Sequence, residues 1–481
     1  MADLVSLRAC IADILAAQSA ATGVAGAVIG VAVGGDQFTL AHGTANLNTG
    51  QEFTTDTGWL LGSVTKVLTT TALLRLVEAG AVDLDAPVHR YLPEFTLAEA
   101  GTAEAITVRM LLNHTNGIDA DDLMPAAVRG RDATRSYVAR LPAFGCLFEP
   151  GTGLHYSNPG FVLAARIIEK QTGLPYERAI QAELFDPCGM RDATAVQTQA
   201  FLRPTAIGAL ASDDPGSLRA TSLFTLPESA AGAGATPIVT VADMLAFGRM
   251  HLAGGVAPSG RRVLSQELAA AMLTPTFDLG LPSAPPIGLG WWLDPIAGTT
   301  AAWHGGGSPG GASSFCIVPE HDAVIVTFVS GPNALLNDTL HTTVIEHLTG
   351  RQASALFTGG QTATDPAIAG EYAAFHVDKN IEVRDGKLLV RTAVPFYDEE
   401  LERILDAYGM PRSSTVTYVP AAPGLFVPEG ADTRTTTGFY GRLSLLADLP
   451  AAHGRPRGIH TGLRFIPKVS RSTAEHADGR S

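Results

Sequence analysis

The spacing of apolar positions changes period several times along this chain, and each change predicts an element. Leu4 to Ala17 places apolar residues at helical intervals. Gly26 to Leu40 then switches to a β-type pattern, beginning Gly-Ala-Val-Ile-Gly-Val-Ala-Val and ending in polar turns. Val64 to Ala79 is helical again, with Gly80 where a C-cap belongs. From about Leu84 to Ala253, helix signals and turns such as Pro150-Gly151 and Pro187-Cys188-Gly189 dominate, so a mainly helical insertion is expected. Strand pattern returns at Gly288 to Leu293, at Ala301 to His304 and across Ser313 to Val329. An amphipathic helix follows from Leu335 to Leu348.

Sheet, insertion, sheet and closing helix describe one α/β catalytic domain over residues 1–355, with the helical insertion at about 84–253. Residues 356–366, rich in Gly, Thr and Gln from Thr358 onward, read as a linker. Between 367 and 469, segments such as Asn380 to Arg391, Ser414 to Val419 and Leu463 to Val469 alternate and are separated by turns. They predict a small antiparallel β-domain. The polar tail 470–481 reads as disordered, and no repeat of fixed period is present.

Composition supports two domains: 481 residues, 46% of them hydrophobic, exceed what one ordinary domain holds. A formal net charge of −14 speaks against nucleic acid or an anionic membrane as partner, because both reward clustered Lys and Arg. Cys10, Cys146, Cys188 and Cys316 form no C-x-x-C pair and read as reduced, mostly buried thiols. Asp3, Arg8 and Asp13 interrupt any signal-peptide pattern, so a cytoplasmic location is expected. The uncharged stretch Ala16 to Gly35 is made of small residues and reads as a helix end, a turn and a buried strand, not a membrane span.

Three constellations carry chemistry. Ser63-Val64-Thr65-Lys66 is an S-x-x-K arrangement opening a helix, where residues three apart share a face and Lys66 can reach the Ser63 hydroxyl. A serine is a poor nucleophile until a neighbouring base takes its proton, and its own N–H at a helix start can stabilise an oxyanion. Tyr156-Ser157-Asn158 adds a phenol that can relay a proton and an amide that can hold Lys66 or substrate. Trp303-His304-Gly305-Gly306-Gly307, expected at a strand end, offers glycines that admit a substrate backbone. Its Gly307 N–H is a candidate second oxyanion donor, and His304 a candidate hydrogen-bond donor or proton holder near the leaving group. Each motif alone has a bland reading: an N-cap serine, a packed tyrosine, a histidine ending a strand.

Together, in this order, they resemble the serine β-lactamase and penicillin-binding-protein superfamily, especially class C β-lactamases and the related carboxylesterases and D-aminopeptidases. Ile106-Thr-Val-Arg-Met-Leu-Leu-Asn-His-Thr-Asn-Gly117, Leu184-Phe-Asp-Pro-Cys-Gly-Met190 and Gly288-Leu-Gly-Trp-Trp292 look like family landmarks, and the resemblance covers about residues 5 to 350. It implies an antiparallel sheet flanked by helices, an α+β arrangement of β-lactamase/transpeptidase type. It further implies that Ser63 is acylated, Lys66 and Tyr156 form the base pair, Asn158 orients Lys66, and the Ser63 and Gly307 amides make the oxyanion hole, with Gly305 and Gly306 lining the substrate path. His304 stands where the β-lactamase pattern has the lysine of K-T-G, which puts strong β-lactamase activity in doubt.

The appended β-domain makes the whole chain look most similar to penicillin-binding-protein-type thioesterases, in which the smaller domain is lipocalin-like. Such enzymes take a peptidyl thioester from a carrier domain of a nonribosomal peptide synthetase and close it head to tail. The competing expectation is an esterase, D-amino-acid amidase or peptidase of the same superfamily acting on a small ester or amide. An α/β-hydrolase reading of Gly306-Gly307-Ser308-Pro309-Gly310 as a nucleophile elbow fails, because a strand and not a helix follows it. His341, Glu346 and His347 lack metal-site spacing, and no phosphate loop or dinucleotide fingerprint is present, so no metal or cofactor is implied.

Overall fold

The first strand of the chain pairs with the last strand of its sheet, and this closure across more than three hundred residues frames the catalytic half. The computed structural model describes residues 3–120, 130–224, 226–357, 362–395, 399–432 and 435–469. The tail 470–481 and residues 358–361 of the expected linker therefore lie outside the described residues.

A seven-stranded antiparallel sheet contains β1 (Gly26–Val33), β2 (Asp36–Asn46), β3 (Gln51–Glu52), β4 (Trp292–Ile296), β5 (Thr299–Ser308), β6 (Gly311–Val318) and β7 (Ala323–Ser330), in the order β3-β2-β1-β7-β6-β5-β4. Val28 faces Phe328 across the β1–β7 junction. Two expectations need correction. The single strand foreseen over Ser313 to Val329 is a hairpin turning at Pro319–His321, where Asp322 takes the left-handed conformation that lets the chain reverse. Strand β5 runs on through all three glycines instead of ending at His304.

Helices α1 (Leu4–Ala16) and α5 (Leu335–Thr349) cover one face of this sheet, with Leu7, Ile11, Leu340 and Val344 in one buried cluster. The other face carries α2 (Thr65–Glu78), α3 (Asn158–Thr172) and α4 (Val241–Leu252), sharing a core with Leu68, Phe161 and Met244. Between the two parts of the sheet the chain is chiefly helical, with two short two-stranded ribbons, Ala209–Ala211 with Leu218–Ala220 and Trp59–Leu60 with Ile238–Val239.

The C-terminal half is an eight-stranded antiparallel meander: β8 (Gly370–Ala374), β9 (Val377–Arg384), β10 (Lys387–Ala393), β11 (Ser413–Ala422), β12 (Leu425–Pro428), β13 (Leu446–Leu449), β14 (Gly458–Thr461) and β15 (Arg464–Pro467). A bridge between Tyr372 and Lys468 brings its first and last strands together, giving a nearly closed, lipocalin-like barrel. Two helices were not foreseen there, α6 (Glu399–Tyr408) and the short α7 (Phe439–Arg442). The barrel does not stand apart. Phe439 and Leu463 belong to the core cluster of α1 and α5, and Leu147 and Phe148 of the catalytic half belong to the barrel core.

All four cysteines are free, as expected, but only Cys188 and Cys316 are buried, while Cys10 is exposed. His341 bonds Thr327 inside the core, Glu346 accepts the Ala353 N–H and His347 bonds the Asp3 carbonyl, so that trio is structural.

Candidate active site

Ser63 lies in a 3-10 turn, Gly62–Val64, that runs directly into α2, and Lys66 sits on the first turn of that helix. The three-residue spacing brings Lys66 Nζ to 3.1 Å from Ser63 Oγ. The same nitrogen is 2.8 Å from Asn158 Oδ1 and 2.7 Å from the Ala233 carbonyl, and the residue is fully buried. Two fixed carbonyl acceptors take two N–H bonds. The remaining position on nitrogen faces Ser63, where an ammonium donates and a neutral amine accepts the serine proton.

Tyr156 and Asn158 reach this centre from a loop with an unusual scaffold. Ser157 caps α3 by accepting the Gly160 N–H at 3.1 Å, which makes Asn158 the first helical residue and aims it at Lys66. His114, in left-handed conformation at φ 60°, accepts the Ser157 N–H on Nδ1 at 3.1 Å and packs, tilted, with its ring centre 4.5 Å from that of Tyr156. Asn116 Oδ1 accepts the Ser157 hydroxyl. Lys66 Nζ lies 4.8 Å from the centre of the Tyr156 ring. Ser63, Lys66, Tyr156 and Asn158 thus converge as a group from two helix starts.

The glycine strand departs from expectation at two points. Gly307 borders the same cavity as Ser63, but Gly305 is covered by Phe439, and the Gly306 N–H is donated to the Tyr440 hydroxyl at 3.1 Å. The Gly306 N–H is therefore committed to Tyr440, and neither Gly305 nor Gly306 lines the cavity. A side-chain carbon on Gly306 would come within 2.4 Å of the Leu61 carbonyl and 2.9 Å of the Ser63 nitrogen, so only glycine lets β5 lie against the serine turn.

His304 also differs from its expected role. It is 1% exposed, does not line the cavity, and packs between the Tyr156 and Phe439 rings. Its Nδ1 bonds the Gly305 carbonyl at 2.6 Å while Nε2 has no partner. Burial first, and the nearby Lys66 charge second, lower its pKa to about 3, so at neutral pH it holds no extra proton to give a leaving group. The elbow reading of Gly306 to Gly310 fails on structure too, since the segment is the hairpin joining β5 to β6.

The cavity over Ser63 measures about 280 Å³, and eight of its eighteen lining residues come from the barrel. Val394, Ile404, Leu405, Tyr408 and Met410 supply an apolar side, and Phe375, His376 and Arg464 a more polar one. Gly462 and Leu463, both with positive φ, form the β14–β15 turn, whose Leu463 carbonyl accepts the Tyr156 N–H at 2.9 Å. Next along, the Arg464 guanidinium stands 5.0 Å from the Tyr156 ring centre. These barrel residues, and His114, escaped the reading of the sequence. His114 had a signal in the Asn113-His114-Thr115-Asn116-Gly117 landmark, whereas the barrel residues had none near the motifs.

No cluster of three His, Cys, Asp or Glu side chains suited to a metal occurs among the described residues, and none of their helices is long and apolar enough to cross a membrane.

A helix-flanked antiparallel sheet with a serine–lysine pair at a helix start defines the serine β-lactamase and penicillin-binding-protein-like superfamily. Residues 11–348 match the family described as Beta-lactamase, and the chain belongs to that family, whose members are serine hydrolases. Over 311 residues it is 34% identical to "Penicillin-binding protein 4" of Amycolatopsis lactamdurans, covering 64% of this chain and 81% of the relative. Among solved structures, SurE is similar over 96% of this chain and 98% of its own, barrel included, with a TM-score of 0.74 at 20% identity. A D-stereospecific amidohydrolase from Streptomyces sp. is 29% identical, with a TM-score of 0.55 over 70% of this chain and 97% of its own.

Proposed function

We propose that the protein takes an acyl group onto Ser63 from a peptidyl thioester held by a carrier domain, and releases it by attack of the peptide's own amino end, giving a head-to-tail ring. The observation that carries this reading is the serine–lysine–asparagine array opening into a largely apolar cavity that the barrel walls on one side. An apolar wall beside Ser63 can hold the acyl chain with its own amine close to the ester, and an amine tethered to the acyl group then competes well with water as the second nucleophile. The full-length likeness to SurE supports a barrel that belongs to the working enzyme.

In the first step Ser63 Oγ bonds to the thioester carbonyl carbon while its proton passes to Lys66 or Tyr156, and the oxyanion is held by the Ser63 and Gly307 N–H groups. Collapse breaks the carbon–sulfur bond, and the carrier thiol leaves with the proton. In the second step the peptide amine attacks the same carbon and loses its proton to the Lys66–Tyr156 pair, which gives it to Ser63 Oγ as the ester carbon–oxygen bond breaks. The partner implied is a carrier domain, and no cofactor enters any step.

A second reading, an amidase or esterase in which water attacks the same acyl-enzyme, draws support from the likeness to the amidohydrolase. Both readings are tested by incubating the enzyme with peptidyl thioesters ending in a D or an L residue and weighing the products. The expected product is lighter than the linear acid by one water and disappears in Ser63→Ala. Linear acid alone, with simple esters or D-amino-acid amides turned over faster, would replace cyclisation by hydrolysis; full activity in Ser63→Ala would end both readings.

A further inference from the structure

We infer that Tyr440, contributed by the C-terminal half, is a positioning residue that fixes the oxyanion donor Gly307. The inference rests on the acyl-transfer reading of Ser63 but not on the choice between ring closure and hydrolysis.

A peptide unit is planar and trans, so whatever holds the carbonyl of one residue also aims the N–H of the next. The Gly306 carbonyl lies 3.0 Å from the Tyr440 hydroxyl, and that carbonyl shares its plane with the Gly307 N–H. The hydroxyl's single proton is shared between that carbonyl and the Ser313 carbonyl at 2.6 Å, and its oxygen accepts the Gly306 N–H at 3.1 Å. One oxygen therefore ties Gly306 to its register partner Ser313 on β6. Glycine places no side-chain restraint on its own rotation, so three in a row would leave this stretch of strand free to turn its amides. With the Gly306 carbonyl drawn to Tyr440, the Gly307 N–H points away from Tyr440, and Gly307 borders the Ser63 cavity.

The tyrosine is itself held. Its phenol is buried, and burial pushes its pKa well above the ordinary range, so it remains a neutral donor. Asp338 on α5 accepts the Tyr440 N–H at 3.3 Å and the Gly441 N–H at 2.8 Å. Phe439 fills the space a side chain on Gly305 would need, and Tyr408 approaches the position of a side chain on Gly307 at 3.7 Å. Arg442 anchors the segment through both oxygens of buried Asp294 at 2.6 Å. The three glycines are thus packed by three aromatic residues from the barrel half.

The test uses the full-length enzyme, the p-nitrophenyl ester of an apolar acid and its thiono analogue. Loss of one oxyanion donor typically slows an enzyme about 10²- to 10³-fold. Tyr440→Phe leaves the donor in place but lets its plane turn, so kcat should fall roughly 10-fold with KM changed less than about twofold. Sulfur is larger than oxygen and a weaker acceptor, so the preference for the oxygen ester should shrink in the variant, a change that mere loss of stability would not produce. Asp338→Asn, which loosens the same anchor without touching Gly306, should show the same split on a smaller scale and carries the test if Tyr440→Phe fails to fold. Unchanged kcat and an unchanged oxygen-to-sulfur preference would overturn the positioning role alone. Absence of Ser63 acylation in the wild-type enzyme, read by intact mass, would overturn it together with the reading on which it rests.

Discussion

Two imidazoles beside the candidate centre have opposite surroundings. His114 has a defined job, accepting an N–H on Nδ1 and turning a strained backbone angle toward the Tyr156 loop. His304 is enclosed by rings, with Nε2 unpartnered. Because burial depresses the His304 pKa from 6.5 to about 3, the unfolded chain takes up its proton first on acidification. The stability that neutral His304 contributes is therefore complete above about pH 6.5 and is lost as pH falls toward 3, with a slope of about 1.4 kcal/mol per pH unit. Urea unfolding of wild type and His304→Gln at pH 7, 6 and 5 should show the two free energies drawing together by about half that amount between pH 7 and 6 and by nearly all of it between pH 6 and 5, the variant lacking the acid-sensitive term. Parallel curves would mean that His304 titrates normally in the folded protein.

At the scale of elements, α6 decides the shape of the cavity. Glu399–Tyr408 packs Ile404 into the protein and turns Leu405 and Tyr408 toward Ser63. Cutting Tyr408 to Ala removes a ring from that wall, where even one methylene in an apolar pocket is worth about 1–3 kcal/mol in discrimination. Tyr408→Ala should lower kcat/KM for small apolar acyl groups about 10-fold or more, shift preference toward bulkier ones and raise the share of hydrolysed product as water enters. A series of peptidyl thioesters of graded side-chain size reads all three, and an unchanged order of preference would remove α6 as a specificity element. This helix also marks where the sequence was legible and where it was not. Ser63 and Lys66 were readable because their contact is local and fixed by helical period. Leu401, Ile404, Leu405 and Tyr408 stand at helical spacing too, yet strand-like neighbours on both sides drew the segment into an all-β reading. The glycines His304-Gly-Gly-Gly307 were recognisable as close-approach residues. What approaches them was not, because Phe439 and Tyr440 lie more than 130 residues away and share no period with them.

Across the whole molecule, the barrel and the catalytic half are joined by a charge pair that neither would bury alone. Asp294 on β4 is 1% exposed, Arg442 on α7 is 5% exposed, and the guanidinium also bonds the Thr437 and Pro282 carbonyls. Burial raises the Asp294 pKa to about 6, against the opposing pull of Arg442. Removing the arginine leaves a carboxylate with no cation in a dry site, a loss that costs about 3–5 kcal/mol. The sign with pH follows from the raised value: the charged form is the disfavoured one, so Arg442→Met should be most destabilised above pH 6 and recover part of the loss as pH falls and Asp294 is protonated. The fluorescence assay is direct, because all four tryptophans, Trp59, Trp291, Trp292 and Trp303, are buried in the catalytic half and Trp303 lies 6.2 Å from Phe439. If the two halves fold as one unit, a substitution on the barrel side will lower the tryptophan-detected transition together with the loss of β-sheet circular dichroism. Arg442→Met with an unmoved tryptophan transition and an earlier loss of barrel signal would instead show two halves that unfold separately. The barrel would then be a cover that can lift from Ser63, not a fixed wall of its cavity.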